Sequence, residues 1–85
     1  MTHADREKLC WALGFVEGQL RNLPWISVLH EAELWLDATI RAGEVGLSIR
    51  MAGVSGVVTH EAGQAELLAA WIKAARQSLG WEAGR

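Results

Sequence analysis

Val45-Gly46-Leu47-Ser48-Ile49-Arg50-Met51 is the stretch that decides the fold. Apolar Val45, Leu47, Ile49 and Met51 alternate with Gly46, Ser48 and Arg50, a period of two that marks a strand with one buried face. Downstream, Ala52 to Gly56 carries two glycines and a serine, which suits a hairpin connection. Val57-Val58-Thr59 is β-branched and strand-like. The reading is an antiparallel hairpin with strands over 45–51 and about 55–60.

On both sides of this hairpin the period becomes helical. Upstream, Leu9, Leu13, Val16 and Leu20 recur at spacings of four, three and four, with Ala12 on the same face. This predicts a helix over about 5–22, capped by Thr2 or Asp5 and broken at Asn22-Leu23-Pro24. A second helix is predicted over about 24–42, with Trp25, Leu29, Ala32, Leu36 and Ile40 inward. Ser27, His30, Glu33, Asp37 and Arg41 form its polar stripe, Asp37 and Arg41 as an ion pair one turn apart, and Gly43 sits where a C-cap glycine belongs. Downstream, a helix opening at Thr59 or His60 is predicted over about 61–79. Its core stripe is Ala65, Leu68, Ala69, Ile72, Ala75 and Leu79, flanked by Leu67, Trp71 and Ala74. Gly80 is its C-cap, and residues 82–85 read as a frayed tail.

The expected architecture is therefore α+β, in the order α-α-β-β-α, with residues 1–85 as one small domain. A two-stranded hairpin is marginal alone and must pack on the helices or pair with another chain.

Composition narrows the function classes. Apolar residues are 51% and charged residues 21%, which fits a globular chain rather than a disordered one. Eight Lys and Arg against ten Asp and Glu give a net charge of −2, and no three basic residues are consecutive. Duplex binding draws most of its affinity from neutralised phosphates, so nucleic acid is an unfavoured partner. The opening residues mix charge signs, and no uncharged stretch approaches the ~20 residues of a membrane helix. With one cysteine in the chain, these features lead to the expectation of a reduced, cytoplasmic setting.

No catalytic residue, cofactor or metal site is predicted. Cys10 lies in an apolar helical run, the setting of a structural thiol rather than a nucleophile. The glycines of 43–56 match neither phosphate-loop nor dinucleotide spacing. His30, Glu33 and Asp37 share a helical face in this reading, which more often is a solvated stripe than a ligand set. Gly14 and Gly18, one helical turn apart, suggest close packing by another helix, in the fold or across a dimer.

The five tryptophans are the strongest departure from average composition. Some must fill the core, while others lie off the main stripes, where tryptophan is enriched at binding surfaces. Trp11, Phe15, Leu34, Leu67, Trp71 and Trp81 are the candidate protein-interface residues. The apolar faces are wider than so small a core requires, which favours association. The first expectation is a non-enzymatic interaction module: a small adaptor or inhibitor of a larger protein or complex, such as a phage or mobile-element anti-defence (anti-CRISPR-like) protein. A homo-oligomer, most simply a dimer, is expected as well. The alternative is a small-molecule or nucleotide binder with a Trp-lined pocket at a homo-oligomer interface, and a nucleic-acid-associated regulator stands third.

Overall fold

The computed structural model describes residues 3–80, so the expected roles of Thr2, Trp81 and residues 82–85 lie outside the described residues. Helix α1 spans His3–Leu20 and buries Leu9, Ala12, Leu13 and Val16, the stripe its periodicity dictates. The chain turns at Arg21–Leu23, where Leu23 N–H donates to the Gln19 carbonyl at 2.9 Å. Pro24, extended at φ −67° and ψ 155°, then caps helix α2, Trp25–Trp35. Its fixed φ and missing N–H suit the start of a helix, where that donor would have no partner.

The second helix stops seven residues before the expected end at 42, at Trp35. Asp37 adopts the left-handed conformation at φ 55°, and Ala38 N–H folds back onto the Ala32 carbonyl at 3.2 Å. The segment beyond it is strand β1, Thr39–Ala42. It pairs antiparallel with β2, Gly46–Met51, which pairs antiparallel with β3, Val54–Thr59. The expected two-stranded hairpin is thus a three-stranded meander in the order β1-β2-β3. β-Branched Thr39 and Ile40 favour the extended chain, and Ile40 lies opposite Ile49, where it packs against the core. The Asp37–Arg41 helical pair therefore does not form, and His30, Glu33 and Asp37 do not share a helical face. Gly43 is no helix cap either; its N–H donates to the Gly46 carbonyl at 2.8 Å in the β1–β2 turn.

The β2–β3 turn is shorter than the sequence suggests. Ala52 and Gly53, at φ 53° and 80°, form a two-residue turn with both central residues left-handed. Gly56, at the start of the expected second strand, is inside β3 and buried.

Past β3, Ala62 N–H donates to Thr59 Oγ1 at 3.2 Å, closing a turn rather than a helix. Gly63 is left-handed at φ 72°, Gln64–Glu66 form one 3₁₀ turn, and helix α3 begins only at Leu67 and runs to Leu79. Gly80, at φ 77°, donates to the Arg76 and Gln77 carbonyls as the expected C-cap. The core stripe is rotated from the expected one. Leu67, Leu68, Trp71, Ala75 and Leu79 are buried, whereas Ala65 and Ala69 are exposed. Burying Leu67 and Trp71 removes far more apolar surface from water than burying two alanines.

Helix α3 packs its buried stripe on one face of the sheet. At Gly56 a Cβ atom would stand 2.6 Å from the Trp71 backbone nitrogen and 2.8 Å from its Cα, so strand and helix meet backbone to backbone. The Trp71 indole N–H donates to the Met51 carbonyl at 3.1 Å, satisfying the one polar group of this fully buried ring. Helix α1 joins α3 through Arg76 Nε, which donates to Glu17 Oε2 at 3.1 Å, and Arg6, which donates to the Leu79 carbonyl at 3.1 Å. His60 Nε2 donates to the Gly43 carbonyl at 2.6 Å and ties the end of β3 to the first hairpin turn. The buried side chains of both long helices, α2 and the sheet form one continuous core.

Candidate functional site

The residues expected at an interface separate into two groups. Leu67 and Trp71 are fully buried, and the expectation that they lie on a binding surface is corrected: they anchor α3 to the sheet. Trp11 and Leu34 are 61% and 59% exposed, and Phe15 is half-buried. Trp81 lies outside the described residues.

Trp11 and Phe15 lie one turn apart on α1, off the Leu9–Leu13–Val16 stripe. Their rings stack with centroids 5.5 Å apart and planes inclined by 22°. This is the offset arrangement that aromatic quadrupoles favour. Trp35, at the end of α2, is 69% exposed. It reaches the same surface, because Trp11 and Trp35 both line a cleft of about 140 Å³ between the helices. Ala12 and Leu36 contribute to the lining, Ala52 closes it from the β2–β3 turn, and Lys8 and Asp37 stand at it as charged groups of opposite sign. The surface therefore runs from Phe15 over Trp11 to Trp35, with a recess between the two indoles.

Trp11 and Phe15 stand out in the sequence as an aromatic pair, whereas Trp35 falls inside the helix expected over 24–42 and carries no such signal. The early stop of α2 leaves it on the rim instead. Leu34 projects from the outward side of α2, in helical spacing with exposed Ile26 and His30. Around Gly14 and Gly18 on α1, no described atom beyond their own chain neighbours and the adjacent backbone of the helix lies within 4 Å of where a Cβ would stand. Their spacing is not used for helix packing among the described residues.

Cys10 is half-buried against the core, with no disulfide partner. Among the described residues no group of three His, Cys, Asp or Glu side chains is placed to hold a metal ion. No described helix is long and apolar enough to cross a membrane.

Comparison with protein-family models, curated proteins and solved structures gives no match for this chain.

Proposed function

We propose that this chain is a non-enzymatic protein-binding module, an adaptor or inhibitor that grips its partner through the aromatic surface of Trp11, Phe15 and Trp35. The observation that carries this reading is the exposure of two tryptophans on either side of one recess. Leaving indoles in water forfeits the burial of a large apolar area in a domain whose core is small. Tryptophan is also the residue most enriched among interface hot spots, where a side chain of the partner fills a desolvated pocket. Here the partner inserts an apolar side chain between the indoles, with Lys8 and Asp37 as the polar rim.

A small-molecule binder is the second reading, favoured by the same recess. At about 140 Å³ it falls short of the roughly 300–1,000 Å³ of ordinary ligand pockets, which favours a side chain over a free ligand.

The test is affinity capture from cells of the native source beside light scattering, with wild type, the double variant W11A/W35A and V45S as a control. Val45 is exposed and does not line the recess. A stoichiometric partner bound by wild type and V45S and lost by W11A/W35A supports the reading. A partner retained by the double variant overturns it. A wild-type dimer that W11A/W35A converts to monomer makes a second copy the partner.

A further inference from the structure

The face of the sheet turned away from α3 has a chemistry of its own. The register sets Arg50 between Thr39 on β1 and Ser55 on β3, and sets Arg41 opposite Ser48 one step along. Cross-strand partners and alternate residues share a face, so these five side chains stand together. They line one shallow cleft of about 330 Å³, and no other described residue lines it.

All five are hydrogen-bond donors, and none is a carboxylate. Among the described residues, neither the Arg41 nor the Arg50 guanidinium has a hydrogen-bond or ion-pair partner. Arg41 and Arg50 are diagonal neighbours, about 7–8 Å apart at Cα by strand geometry. Two unneutralised charges of one sign on adjacent strands repel, and an anion between them turns the repulsion into attraction on both sides. The patch is basic although the whole chain carries −2.

Donor number selects the anion. Each guanidinium offers a planar fork of N–H groups suited to paired oxygens, and Thr39, Ser48 and Ser55 each add a hydroxyl. A carboxylate has two oxygens to receive them, whereas a terminal phosphate has three in a tetrahedral spread. A nucleic-acid strand is a poorer match. Among the described residues this face holds no aromatic ring for base stacking, and two phosphate contacts give little affinity at ordinary salt.

We propose that the outer face of the sheet binds a compact phosphate-bearing ligand, its oxygens held by Arg41 and Arg50 and by the hydroxyls of Thr39, Ser48 and Ser55. This site is separate from the aromatic surface, and neither reading depends on the other.

The experiment titrates ¹⁵N-labelled full-length protein with inorganic phosphate, and separately with pyrophosphate, near neutral pH and at constant ionic strength balanced with chloride. Acetate is the carboxylate control. The expected result is saturable amide shifts centred on Ser48, Arg50 and Ser55, weak or absent with acetate, and weakened at least tenfold in R41Q and in R50Q. Both arginines are exposed, so the variants keep the wild-type fold, which the unshifted remainder of the spectrum verifies. Shifts that do not saturate, that centre elsewhere, that persist in both variants, or that acetate reproduces at equal affinity overturn the proposal.

Discussion

Gly56 of β3 lies against the backbone of Trp71 on α3, so closely that a methyl group on Gly56 would stand 2.6 Å from the Trp71 nitrogen and 2.9 Å from the Ala70 carbonyl carbon. The obstructing atoms belong to a helix backbone and have no rotamer to change. Gly56→Ala must therefore push α3 off the sheet or bend β3. The expected cost is at the upper end of the roughly 1–3 kcal/mol typical of overpacking. Urea denaturation checks it; a loss below about 0.5 kcal/mol would show that the contact is looser than described.

Trp71 connects this contact to the hairpin, since its indole reaches the carbonyl of Met51 at the end of β2. Trp71→Phe keeps an aromatic ring but leaves that buried carbonyl without its indole donor. The carbonyl keeps its strand partner across the hairpin, so the expected loss combines one hydrogen bond, about 0.5–1.5 kcal/mol, with the vacated volume. Trp71→Ala removes the whole ring and should cost about 3–5 kcal/mol. Thermal melts of the two variants, read by circular dichroism, should rank them in that order below wild type.

Ala52 holds a left-handed conformation in the β2–β3 turn without being glycine. Turns of this kind prefer Asn-Gly, because asparagine tolerates positive φ and bonds locally to the backbone. Ala52→Asn should therefore raise stability by up to about 1 kcal/mol, within the usual range for such strain. An unchanged or lowered denaturation midpoint would mean that packing of the half-buried Ala52 methyl outweighs the turn preference.

Most of the element types were legible in the residues. The α1 stripe, the break at Pro24, the alternation of 47–51 and the cap at Gly80 are local signals that the structure keeps, whereas Val45, read as the first residue of the buried face, lies outside β2 and is exposed. The Trp11–Phe15 pair was legible for the same reason, since an aromatic pair one turn apart off the core stripe depends only on helical geometry. Thr39–Ala42 was not. Its apolar and polar residues continue the helical pattern of α2 well enough, and the extended preference of Thr39 and Ile40 prevails only with the backbone partners on β2. The exposed position of Trp35 and the cluster around Arg41 and Arg50 both follow from that missed strand.

The sequence by itself determined which segments carry an apolar face and at what period, because periodicity, capping and proline geometry act within a few residues. Tertiary structure alone decided which of two competing faces of α3 was buried, since that choice depends on Gly56 admitting the helix and on Met51 offering a carbonyl to Trp71. It decided likewise that β1 joins the sheet, and so which arginines and tryptophans face solvent together. These are contacts between residues distant in the chain, and their energies are set by surfaces that meet only after folding.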